Sequence, residues 1–140
     1  MTRNPLPGAP LAAVLAAVSA AVLAACAAEE MPGPEEGAAI YAENCTACHG
    51  YRGEGGDLIG GRNAPDLTRI AARNDGTFPR ARVLSQIDGY HRGQVPGAVM
   101  PEYGALLEGD LVPVEVDGVM TPTPRPLAAI LAHLESIQVP

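Results

Sequence analysis

The stretch Ile40-Tyr41-Ala42-Glu43-Asn44-Cys45-Thr46-Ala47-Cys48-His49-Gly50 packs two of the chain's three cysteines and one of its three histidines into five consecutive residues. Cys45 and Cys48 are three apart, so on a helix their thiols project from neighbouring positions on one face. Tyr41 shares that face, at i, i+4 and i+7 with the two cysteines. A zinc site would need a second C-x-x-C or H-x-x-x-H pair, and the chain has neither. A thioredoxin-like redox pair would sit in a βαβ pattern, which does not surround this one. Upstream, Pro34 suits a helix first turn and Glu35 and Glu36 suit its positive end. Ala38, Ala39, Ile40, Tyr41 and Ala42 carry that predicted helix into the motif.

C-x-x-C-H reads as c-type haem attachment. The thiols of Cys45 and Cys48 add to two vinyl groups on one porphyrin edge, and His49 turns its imidazole under the ring to ligate iron. The whole stretch resembles the monohaem class I c-type cytochromes of bacteria, and the resemblance extends over roughly residues 35 to 138. It implies an all-α fold: a small cytochrome c domain of about three to five helices around one covalent haem c, with helices at the two ends crossing beside it. It also implies an electron carrier whose iron is held by the motif histidine and a methionine. In that family a proline carbonyl accepts the histidine ring N–H, and Pro65, 16 residues after His49, is the residue in the corresponding place. Only one C-x-x-C-H is present, so one haem is the maximum by this attachment.

A His/Met pair raises the potential relative to His/His. Downstream of the leader the chain offers Met31, Met100, Met120, His91 and His133. Met100 in Val99-Met100-Pro101-Glu102-Tyr103-Gly104 resembles the ligand-bearing loop of the family, and Pro101 pushes Met100 toward an extended conformation. The plain alternative is that Met100 only packs in the core. His91 reads as an exposed loop residue, His133 as a surface residue of the last helix, Met120 as apolar packing and Met31 as part of a linker.

Leu11 to Ala25 is small and apolar throughout except Ser19. Fifteen residues are short for a membrane span and suit the apolar region of an export signal. The run ends in Leu23-Ala24-Ala25-Cys26, which resembles a bacterial lipobox, with Cys26 lipidated. Ala25-Cys26-Ala27 also fits an ordinary cleavage site; lipidation is preferred because it gives the third cysteine a role. The organisation expected is a signal peptide over 1–25, a lipidated N-terminus and linker over 26–34, and the cytochrome domain over 35–140. The protein would then be exported to the periplasm and held at the membrane.

The net charge is −7, with nine arginines and no lysine. That excludes a P-loop lysine and a Schiff-base lysine, and argues against nucleic acid, whose phosphates need a basic patch. No Trp and one Phe leave few bulky residues for a core, so a large apolar cofactor would complete it.

Gly50 to Ala64 holds six glycines and reads as a loop wrapping the haem edge. Asn74-Asp75-Gly76 marks a turn. Arg80 to Ile87 reads as a short helix with Val83, Leu84 and Ile87 on one face, ended by Gly89. Val112, Val114 and Val116 alternate before Asp117-Gly118, which signals a short β-hairpin near 112–121, weakened by Pro113. Pro126 to Gln138 is the clearest helix, with Leu127, Ile130, Leu131, Leu134 and Ile137 in a stripe that should meet the first helix. The function expected is electron transfer with redox partner proteins that carry basic docking patches, and with the membrane through Cys26. The alternatives are the haem subunit of a larger oxidoreductase, and an open-site haem enzyme or gas sensor.

Overall fold

Pro34, with Glu35 and Glu36 in the first turn, starts helix α1 (Pro34–Asn44), as a fixed φ and complementary charge at a helix N-terminus favour. The computed structural model describes residues 30–58, 60–90 and 100–140. The expected unbroken helix is interrupted. At Cys45 φ is −115°, and α2 (Thr46–His49) restarts beyond it. The cause lies at Asn44. Its carbonyl accepts the Tyr103 hydroxyl at 3.0 Å, while the Cys48 N–H goes to Cys45 O at 3.2 Å. A carbonyl drawn away from the helical ladder bends the helix there.

The last helix, α4 (Arg125–Ser136), lays Leu127, Ile130, Leu131 and Leu134 into the core. Its stripe meets α1, as expected. The crossing is close because of one residue: a Cβ at Gly37 would stand 1.9 Å from the carbonyl oxygen of Ala129. Glycine alone lets the backbones approach so far. Ala128 and Ala129 are buried as well, and α4 also contacts a hairpin, β3 (Leu111–Val116) and β4 (Val119–Pro124). Ile137 lies just beyond the helix end and is half-buried.

That hairpin has the expected turn. Asp117 and Gly118 have φ of 51° and 83°, the two positive values of a type I′ turn. Val112 and Val114 point inward. Pro113 lies opposite Pro122 and Leu111 opposite Pro124. Counting from the closing pair Val116–Val119, both pairs fall at non-hydrogen-bonded positions, so none of the three prolines removes a ladder bond. Met120 is 59 % exposed rather than packed, because it shares the outward face with Glu115.

The glycine-rich stretch is more ordered than a plain loop. Gly56–Leu58 (β1) pairs antiparallel with Arg62–Ala64 (β2). Single 3-10 turns follow at Leu67–Arg69 and Ala72–Asn74. Helix α3 (Arg80–Asp88) buries Val83 and Ile87, leaves Leu84 half-buried, and ends at Gly89 with φ 96°.

Two arginines tie the frame together. Arg125 grips Glu36 with two bonds, Nε at 3.0 Å and Nη2 at 2.9 Å, joining the starts of α4 and α1. Arg80 grips Glu135 at 2.6 and 3.1 Å and reaches the Glu115 carbonyl at 2.9 Å, joining α3, α4 and β3. The fork matches a carboxylate bidentately, the strong geometry for such pairs. The expectation of a small, mainly helical domain with a short hairpin is met, with a second hairpin added.

Candidate functional site

The bend at Cys45 delivers Cys45, Cys48 and His49 to one wall of a cleft. Cys45 is half-buried and Cys48 is exposed. His49 is buried. Its Nδ1–H donates to the carbonyl of Pro65 at 3.2 Å. This bond is the one expected across 16 residues. It fixes ring orientation and tautomer, and leaves Nε2 as the nitrogen with a free lone pair.

The glycine-rich segment makes this contact available. Gly55 N–H donates to His49 O at 2.9 Å, and Leu67 N–H to Gly53 O at 2.6 Å. At Gly55, φ is +77°, and a Cβ would lie 2.4 Å from Ala64 O and 2.9 Å from the Pro65 carbonyl carbon. Only glycine brings this backbone so close to the segment bearing the histidine's acceptor.

The opposite wall is the segment after residue 99. Gly89 and Gly104 admit it against the end of α3: a Cβ at Gly89 would clash with Glu102, and one at Gly104 with Asp88. Tyr103 N–H donates to Ile87 O at 3.0 Å and the Tyr103 hydroxyl to Asn44 O. This brackets Met100, whose Sδ accepts from Gln86 Nε2 at 3.9 Å.

Between the walls lie two adjoining cavity lobes of about 370 and 280 Å³, both bordered by Cys45, His49, Pro65, Leu67, Gln86 and Met100. The larger also touches Cys48, Leu58 and Tyr103. The smaller reaches Tyr41, Ile130 and Leu134 in the core and ends at Arg73, Asn74 and Arg82. The slot therefore has an apolar mouth beside the thiols and a second lobe with two guanidinium groups. That lining fits a flat apolar macrocycle with anionic side groups. Among the described residues no group of three or more His, Cys, Asp or Glu converges, so the C-x-x-C pair gains no zinc partners from the fold.

Burial governs the charge states. It pushes the Cys45 thiol up to about 11, helped by nearby Cys48, and the Tyr41 hydroxyl up to about 12. Burial lowers His49, and the bond to Pro65 partly opposes this. A neutral imidazole with one N–H fixed is the form that ligates a metal.

The expected site residues thus divide. Cys45, Cys48, His49 and Met100 meet in one slot. His133 is not a free surface residue: its ring lies 5.1 Å from that of buried Tyr41, and burial lowers its pKa. Gly37 presents no side chain beside it, which opens that space. Met31 and Met120 are exposed and do not border the slot. His91, Cys26 and the leader lie outside the described residues. Sequence reading missed Arg73, Arg82, Gln86 and Tyr103. Arg82 and Gln86 stand four apart on α3, alongside Val83 and Ile87, and that spacing was the available signal.

Comparison with curated proteins and with solved structures found no match. The family model for cytochrome c matches residues 34–136, which takes in both terminal helices, the C-x-x-C-H motif and both walls of the slot. The chain is a member of the cytochrome c family, a haem-binding electron-transfer protein with covalently bound haem c.

Proposed function

We propose that this is a monohaem electron carrier with His49 and Met100 as axial ligands and Cys45 and Cys48 as thioether anchors, exported to the periplasm and tethered through lipidated Cys26. One observation carries the reading: a buried histidine with its Nδ1 already committed to Pro65 and a thioether sulfur border the same slot as the two thiols. Cys45 and Cys48 would hold the haem as thioethers, each S–H having added across a vinyl C=C with the sulfur on one carbon and the proton on the other. Haem supplies the one-electron iron couple when bound. The chain's residues orient the imidazole, keep the slot apolar near the thiols, and set Arg73 and Arg82 where propionates can be neutralised. With Met100 on the second wall the slot fits a six-coordinate carrier better than an open-site enzyme.

The test uses holoprotein from a host able to mature c-type haem. Haem should stay with the polypeptide after denaturation and acid–acetone extraction. The ferric protein should show the weak far-red band of Met–iron ligation. Met100→Ala should abolish the band and keep the covalent haem, and Cys26→Ser should release the protein from membranes with its spectrum unchanged. Extractable haem, or a band that survives Met100→Ala, would overturn the assignment. Wild-type protein found wholly in the soluble periplasm would overturn the tether.

A further inference from the structure

Residues 67–74 have the backbone of one helix that does not close. Leu67–Arg69 and Ala72–Asn74 are single 3-10 turns, and the two residues between them are helical, with φ and ψ of −61° and −49° at Ile70 and −61° and −46° at Ala71. In an α-helix the Ala71 N–H would donate to Leu67 O, four residues back. Here Gln138, beyond the end of α4, puts its side-chain amide between the two groups. Its Nε2 donates to Leu67 O at 2.9 Å, and its Oε1 accepts from the Ala71 N–H at 2.9 Å. Nε2 also donates to Leu134 O at 2.6 Å, and the neighbouring Val139 N–H donates to Thr68 O at 2.8 Å. Two carbonyls on the nitrogen and one N–H on the oxygen fix which way the amide faces. Across the same pair of turns, Arg73 Nη2 donates to Asp66 O at 2.7 Å. Arg73 and Asn74 border the polar end of the smaller lobe, where Asn74 Oδ1 accepts from Arg82.

We propose that Gln138 is a positioning residue for Arg73, its amide a wedge in the helical ladder that keeps residues 67–74 as two turns and sets the Arg73 guanidinium at the polar end of the slot. The inference rests on the reading of Arg73 and Arg82 as the groups that neutralise the anionic side groups of haem. A side chain inserted into an i→i−4 ladder bends the backbone at that point. Once the wedge is withdrawn, Leu67 O and the Ala71 N–H can pair directly. The segment then passes from three residues per turn toward 3.6, and Arg73, two residues beyond Ala71, turns about the segment axis away from its present place. Neither ladder group is left unpaired by that closure, so the change falls on where the guanidinium points more than on stability.

The test is the reduction potential of the holoprotein in a double-mutant cycle of Arg73→Gln with Gln138→Met, which keeps the length of the side chain and loses the amide. A nearby cation favours the reduced state, whose net charge is one unit more negative. Arg73→Gln should therefore disfavour reduction by about five-fold, as loss of one solvent-screened charge does. Gln138→Met, which only displaces that charge, should disfavour reduction by about two-fold with Arg73 present and leave it unchanged in Arg73→Gln. A purely structural role for Gln138 would lower the unfolding midpoint and leave the potential of both backgrounds unmoved, and that result overturns the inference. So does an equal shift in both backgrounds, which would place the effect in the slot lining at Leu67 or Ile70 rather than at Arg73. If Gln138→Met fails to mature, Gln138→Asn, one methylene shorter, takes its place in the cycle. An unchanged potential in Arg73→Gln would remove the reading of this arginine as a neighbour of the haem, a failure told apart because it appears with Gln138 intact.

Discussion

The two walls of the slot differ in how far along the chain their supports reach. The His49 wall is held by short-range bonds: His49 N–H to Cys45 O, Gly55 N–H to His49 O, and Nδ1 to Pro65 O all lie within one stretch of about twenty residues. The Met100 wall has bonds of similar span, Gln86 to Met100 Sδ and Tyr103 N–H to Ile87 O, and adds one across the molecule, from the Tyr103 hydroxyl to Asn44 O 59 residues away. A wall made of local bonds forms its geometry early and cheaply in chain entropy, whereas a wall made of distant ones depends on the whole frame closing. The difference suits the roles proposed for the two sides, an anchored histidine opposite a softer thioether.

The largest effect is expected where both walls share a support. Gly37→Ala drives a methyl group into the Ala129 carbonyl and forces α1 from α4. It should cost about 3 kcal/mol or more, at or beyond the top of the usual range for overpacking, and denaturant unfolding would read it. Next, Gly55→Ala strains a positive φ and pushes on Ala64 and Pro65. It should cost about 2 kcal/mol and loosen the His49 wall, read by unfolding and by a shifted ring-proton resonance of His49. A midpoint unchanged in Gly55→Ala would break the claim that this wall is fixed by close backbone approach. Tyr103→Phe removes one hydrogen bond from the other wall, worth about 1 kcal/mol. Here the far-red band should melt at a lower temperature than the domain unfolds. Coincident loss of both signals would show the two walls to be one cooperative unit.

The smallest effect is one of pH. Burial lowers the His133 pKa in the folded chain. The unfolded state therefore binds more protons between the unfolded and folded values, and stability rises with pH through that window. The contribution is fully present above about pH 6.5, the unfolded value, and is lost as pH falls toward the folded one. His133→Phe should flatten this part of the stability profile. Asp66, whose carboxylate is held down chiefly by the Thr68 hydroxyl, acts in the same sense at more acidic pH, below about 4. An unflattened profile in His133→Phe would place the dependence elsewhere.

The same contrast explains what could be read in the sequence. The His49 wall was legible because its thiols and imidazole fall in five residues, and even Pro65 could be placed by resemblance. The terminal helices and the Asp117-Gly118 hairpin were legible from periodicity and turn chemistry. The bend at Cys45 was not, since its cause is a tyrosine 58 residues further on. Nor was the β1–β2 ladder, written in glycines and polar residues with no alternating apolar face. His133 was misplaced because the apolar stripe of α4 marks only the centre of its buried face. The space beside the stripe depends on a missing side chain at Gly37, far away in the chain.

The prolines of the β3–β4 hairpin have a consequence outside this domain. A two-stranded ribbon is all edge, and an open edge recruits other strands. At non-hydrogen-bonded positions the N–H sites of Pro113, Pro122 and Pro124 face outward, where a third strand would need donors, and proline supplies none. The exposed Leu111, Val119 and Met120 would otherwise make this ribbon a template for self-association. The hairpin thus carries its own protection against aggregation in its backbone rather than in surface charge.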